Sequence, residues 1–378
     1  MNAVTNYTGV YHDTGVSLWQ FDQLSNFELQ FTEKNYYVGA DEIQNFLVSD
    51  YQIKIACYHV PFPDSRLAWQ SWISRFHQTY SHVNYSIIFC SELHSPTVSQ
   101  LIELDLPNVS IFICGKIHHD FKHATIYSWL NWFITSVHFY KHVYPSLLEE
   151  KLINKNKTKF FDMLLGYGKP HRDFVYNYVK EKNLFGNNVI TYHRSFSTDL
   201  KRDNIFVFEE EGCEFYNHIT YTSSVNPVKY YGYEMYISQV IPISIYNQTH
   251  YSLIAETNAV NQFNFFTEKT AKPIIAKRLF VAIAGKDFLK SLKELGFQTF
   301  DNVIDESYDQ VANHKERWRL AMDQVAYLNS QNFEDVYSKV KDRLEHNYQL
   351  IMNKNWLNEC TQQLFQIVQG IFNEKISA

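Results

Sequence analysis

Up to about residue 145 the chain alternates short apolar runs with amphipathic stretches. Residues 50–58 carry the apolar alternation of a strand, and 85–90 (YSIIFC) and 109–114 (VSIFIC) are continuously apolar, as strands buried on both faces of a parallel sheet are. Residues 65–80 and 95–104 have helical spacing between them, and 127–144 predicts a long, largely buried helix. Strand, helix, strand in this rhythm predicts a doubly wound α/β domain. A lysine-rich stretch without apolar periodicity, 151–159 (KLINKNKTK), predicts a linker. The same grammar then resumes, with strands at 160–165, 188–192, 251–255 and 279–284 and helices at 172–181 and 286–295, the last stopped by Gly296. Three polar helices, at 315–328, 333–351 and 356–374, close the chain. Trp318, Met322 and Tyr327 give the first of them a packing face.

These boundaries predict a domain at 1–150, a second at 151–312 and a helical segment at 313–378 packing on them. A chain of 378 residues is long enough to bury two cores. A net charge of −6 without a basic tail removes the footprint of a general nucleic-acid binder, although 116–123, rich in Lys and His, leaves a local basic face. Five scattered cysteines without a CxxC pair fit a reducing compartment. Residues 1–11 lack the basic and apolar regions of a secretion signal, and no apolar run reaches the ~18 residues of a membrane span, so the expected location is the cytoplasm.

The segment with the most chemistry is 251–309. A strand ends at Glu256, and after a loop Thr267 stands where it can N-cap a helix starting at Glu268. Such a helix end offers backbone N–H groups and a positive dipole, and Lys269 adds a full charge on the first turn, which together suit a diphosphate. The Glu268 carboxylate can accept from ribose hydroxyls. Pro273 lies deeper than the first turn and predicts a kink or a later start. The same residues equally make an ordinary capped helix with a surface charge pair.

Glu256, Thr257 and Asn258 at the strand end, then Phe266, Thr267, Glu268 and Lys269, then the apolar strand 279–285 ending in Gly285, resemble the donor-binding motif of the α1,3-fucosyltransferase family. That resemblance implies a GT-B fold: two Rossmann-like domains with a donor cleft between them. It also implies that Glu268 and Lys269 hold the ribose and diphosphate of a nucleotide-sugar. The run from Thr267 to Asp309 is also similar to a group of glycosyltransferase-like proteins encoded by tailed phages.

In 160–179 (FFDMLLGYGKPHRDFVYNYV) a strand, a glycine-containing turn and Arg172 at a helix start aim a guanidinium at strand C-termini, where open α/β sheets bind ligands. Lys169 and His171 are its neighbours. The resemblance gives Arg172 a donor phosphate; a solvated pair with Asp173 or Glu181 is the other reading. In 89–96 (FCSELHSP) the resemblance makes Glu92, beside Ser91, Ser95 and Pro96, the general base of an inverting transfer. Capping of the next helix is the alternative for Glu92, and His94 is a weaker candidate for the base.

His118, His119 and His123 form a cluster without an HExxH frame. The run 209–211 reads as a solvated acidic loop, and Asp305, Glu306 and Asp309 are carboxylates able to meet sugar hydroxyls or a metal. There is no Asp-x-Asp motif, and GT-B enzymes generally need no metal. The expectation is therefore a metal-independent transferase moving a sugar from a nucleotide-sugar donor to a glycan or to a hydroxymethylated base in phage DNA. A non-catalytic nucleotide-binding or structural phage protein with the same fold is the alternative. Nothing in the sequence predicts a membrane partner.

Overall fold

The computed structural model describes residues 7–11, 35–37, 54–60, 84–90, 107, 109–113, 115–117, 120–128, 130–153, 157–194, 210–215, 227–260, 263–360, 362–363, 366–367 and 370. The chain is a mixed α/β protein built on parallel sheets. It divides into two compact units, one of Met1–Asn131 with Asn355–Ala378 and one of Trp132–Lys354.

The first unit carries a six-stranded sheet. Its strands are β1 (Tyr7–Tyr11), β2 (Asn35–Tyr37), β3 (Lys54–Val60), β4 (Asn84–Cys90), β5 (Val109–Ile113) and β6 (Thr125–Ser128), in the spatial order β2-β1-β3-β4-β5-β6. Every pairing is parallel. All five residues of β5 are buried, which explains its unbroken apolar run. The helices expected at 65–80 and 95–104 lie outside the described residues.

The second unit opens with helix α1 (Asn131–Lys151). The helix starts later than the sequence pattern predicts, because 125–128 is strand, and it runs on through Pro145. Phe133, Val137, Tyr140 and Tyr144, at spacings of three and four, are each at most 1% exposed. That buried stripe holds the helix together past the proline. Of the stretch 151–159, Lys151 is the last residue of α1 and Lys159 the first of β7 (Lys159–Tyr167).

Next come α2 (Pro170–Glu181), β8 (Val189–Arg194) and a small antiparallel sheet of β9 (Cys213–Phe215), β10 (Pro227–Tyr230) and β11 (Tyr233–Tyr236), which the sequence reading did not include. Glu210, read from sequence as part of a solvated loop, is 6% exposed and accepts from Tyr230 Oη at 2.9 Å and Ser244 N at 2.8 Å. The unit closes with α3 (Ile243–Gln248), β12 (Thr249–Ala255), α4 (Glu268–Ile275), β13 (Phe280–Ile283), α5 (Phe288–Glu294), α6 (His314–Leu328) and α7 (Phe333–Asn353).

Strands β13, β12, β7 and β8 lie side by side in that order, all parallel. The chain leaves β7 for β8 on one side and returns to β12 on the other, so the winding reverses between β7 and β12. A reversal of this kind opens a crevice at the strand C-termini. Helix α6 backs the sheet: the Arg317 guanidinium donates to the carbonyls of Ala284 and Ala259, and Trp318 Nε1 to that of Ala259, at 3.1, 3.1 and 2.8 Å. Among the described residues no helix is long and apolar enough to cross a membrane.

Candidate functional site

The loops that follow β7 and β12 meet at that reversal. Strand β7 ends in an irregular register around Gly166, whose φ of +62° disfavours residues with a Cβ. Two residues after the strand, Lys169 takes the N-cap position of α2, and Pro170 fills the first helical position, where no N–H is missed. This first turn sets three cationic or imidazole side chains against the end of β12. Lys169 Nζ donates to the Thr257 carbonyl at 2.7 Å, and Arg172 Nη2 to that of Ala255 at 3.3 Å. His171 Nε2 lies 2.8 Å from the Glu256 carbonyl. A carbonyl only accepts, so Nε2 carries the proton. Burial, with Arg172 and Lys169 adding to it, drives the His171 pKa well below the usual value, so the ring is neutral.

The far wall is the start of α4. Thr267 caps it, accepting from Lys269 N at 3.3 Å, and the helix begins at Glu268 despite Pro273, which falls in its last turn. Behind the cap lies Glu256, with no exposed surface. Its carboxylate accepts from Thr257 N at 3.1 Å, Thr267 N at 3.2 Å, Thr267 Oγ1 at 2.8 Å and Thr270 Oγ1 at 2.5 Å. Glu256 thus ties β12 to α4 from inside and presents no oxygen to a ligand. Asn258 is also internal, donating to the carbonyls of Val260 and Phe263 at 2.9 and 2.7 Å.

The sequence suggested a helix end with open backbone N–H groups. Instead Thr267 N is taken by Glu256 and Lys269 N by the cap, so charged side chains are what the site offers. Lys269 Nζ lies 2.7 Å from Glu268 Oε1 and 3.5 Å from Thr257 Oγ1. Burial raises the Glu268 carboxyl, but Lys269 and then Lys272 outweigh it and hold the acid below its ordinary value. Burial lowers Lys272 to about 8, opposed by Glu268.

Lys169 and Lys269, a hundred residues apart, therefore both reach Thr257, with Arg172 5% exposed beneath them. The side chains of Glu268 and Lys269 keep 16% and 26% of their surface. Gly285, at the end of the β13 run, permits close packing: a Cβ there would stand 2.5 Å from the Phe263 carbonyl oxygen.

The acidic run that sequence reading left open to sugars or metal is committed elsewhere. Asp305 caps Ser307 N at 2.9 Å, and Glu306 accepts from Thr299 Oγ1 and Phe300 N, each at 2.6 Å. Asp309 accepts from Leu289 N and Lys290 N, capping α5. Glu92, Ser91, His94, Ser95, Pro96, His118 and His119 lie outside the described residues. No signal in the sequence marked His171 as a contact of the β12 terminus, since its partner is a backbone carbonyl.

No family model matches the chain, and no curated protein or solved structure matches it. What the site does is read from its own residues.

Proposed function

We propose that this protein is a metal-independent, inverting glycosyltransferase of the two-domain GT-B type, which holds a nucleotide-sugar on the unit Trp132–Lys354. The observation that carries the reading is the meeting of Lys169 and Lys269 at Thr257, on the sheet's reversal point. Phosphates fit the two ammonium groups, with Arg172 adding positive potential from below. The ion pair of Lys269 with Glu268 sets an acceptor next to a cation, matching ribose hydroxyls next to a diphosphate.

In this reading Glu92 takes the proton of the acceptor hydroxyl as its oxygen bonds to the anomeric carbon. The bond from that carbon to the diphosphate breaks, and its electron pair leaves on the nucleoside diphosphate. The lysines and the dipole of α4 stabilise that charge. The acceptor is a glycan or a hydroxymethylated base in DNA, and the reaction takes place in the cytoplasm.

Nucleoside diphosphates will raise the melting temperature of the full chain, and Lys269→Ala will abolish that rise. The same substitution will cut kcat by about 10²–10³-fold once a donor and acceptor pair is in hand. Equal thermal shifts for the wild type, Lys269→Ala and Lys169→Ala would remove the assignment.

A further inference from the structure

At the opposite edge of the four-stranded sheet, by the strand N-termini, lies a cavity of about 500 Å³. That is the size of small-molecule sites in general. The start of β12 supplies His250 and Tyr251, α7 supplies Phe333 and Tyr337, and Lys157 approaches just ahead of β7. The His250 ring stacks on Phe333 with centroids 3.8 Å apart, and Phe333 stacks on Tyr337 at 5.6 Å, which makes a continuous aromatic shelf.

Two buried polar atoms beside this cavity lack partners in the protein. Tyr251 is 1% exposed, yet its hydroxyl makes no hydrogen bond, and the buried His250 Nδ1 makes none either. No described carboxylate forms an ion pair with Lys157. Asp162, the acid that acts on it electrostatically, is bound to Arg278 at 2.7 Å and accepts from Ser252 Oγ at 2.8 Å. Lys277, also on the cavity wall, is committed to Glu345 at 2.6 Å and lies over the Tyr348 ring. Burial, and then Arg278, pulls the Lys157 ammonium down to about 7. Buried polar groups are normally satisfied, and two orphans beside one void, with the half-buried Lys157 in its wall, mark a ligand's place. At the rim the exposed Glu149 and Glu334 disfavour highly charged anions.

We propose that the cavity binds a small aromatic carboxylate, its ring on the His250–Phe333 shelf, its charge met by Lys157, and the Tyr251 hydroxyl as a neutral donor. This is a site distinct from the reversal-point cluster and independent of the transferase reading.

Calorimetry and thermal shift on the full chain, with benzoate and indole-3-acetate as probes and benzamide and inorganic phosphate as comparisons, test it. The two carboxylates will bind and raise the melting temperature, whereas the amide and phosphate will not. Lys157→Met, which exchanges a desolvated charge for an apolar chain of similar length, will fold and will bind the carboxylates at least tenfold more weakly. Lys269→Ala will bind them as the wild type does. Binding by Lys157→Met at wild-type strength, equal binding of benzamide and benzoate, or no binding of either carboxylate each overturns the proposal.

Discussion

Glu256 shows how one buried residue can tie two elements together, its carboxylate accepting from Thr257, Thr267 and Thr270. Burial pushes its carboxyl pKa up, and Lys269 and the hydroxyls of Thr270 and Thr267 pull against that rise. Taking away a donor leaves a buried oxygen short of its bond. Thr270→Val will cost about 1–3 kcal/mol in urea unfolding, while Thr270→Ser, which keeps the hydroxyl, will cost under half as much. Asp309 is the opposite case to an ordinary surface acid. Burial raises it to about 6, against the hydrogen bonds from Leu289 N and Lys290 N and with help from Asp287 and Glu306. The folded chain therefore holds that proton more tightly than the unfolded one. Stability from this group is full below the unfolded pKa near 4 and is lost as pH rises through 6. In urea unfolding at pH 4, 5, 6 and 7 the wild type will lose on the order of 2 kcal/mol across this range relative to Asp309→Asn. Parallel curves would contradict it. From sequence, Lys169, Arg172, Thr267 and Lys269 could be singled out because charge beside a capping residue has a local signature. The commitments of Glu256 to Thr267 and Thr270 and of Asp309 to Leu289 and Lys290 could not, because these partners lie 11 to 20 residues away across a turn of the fold.

Turns decide how these elements present their ends. Helices α4 and α5 both close with the same kind of bond, the second residue past the cap reaching back to the third from the end: Arg278 N to the Pro273 carbonyl at 2.8 Å and Phe297 N to that of Leu292 at 3.2 Å. In α5 the left-handed position is Gly296, which the sequence made legible; in α4 it is Lys277, at a φ of +50°, which it did not. One residue before the end of β7 comes the left-handed Gly166, beside Arg172 Nη1. Gly166→Ala will destabilise the protein by about 1–2 kcal/mol from backbone strain alone, read as a lower denaturant midpoint with an unchanged slope. The parallel strands were legible as unbroken apolar runs. The small antiparallel sheet was not, because β9, β10 and β11 are three to four residues long and half or more of the positions of β10 and β11 are exposed.

For the whole molecule, the division falls at residues 131 and 132, the first turn of α1, whereas composition pointed to 150 and 151. The lysine-rich stretch 151–159 runs from the end of α1 to the start of β7, within the unit Trp132–Lys354. The unit Trp132–Lys354 contains every described side chain of the site. A fragment of residues 132–354 will unfold cooperatively; on the proposed reading it will show the nucleoside diphosphate shift but will not transfer sugar, since the proposed base Glu92 is outside it. Non-cooperative melting of that fragment would show that the unit depends on the rest of the chain.

The internal tie between β12 and α4 has a consequence for affinity. Because Glu256 already clamps the helix start to the strand, a guest does not have to freeze a wandering loop, and the entropic toll of ordering was met when the chain folded. Loosening that clamp should therefore show itself first as faster escape of the guest and only later as a softer protein.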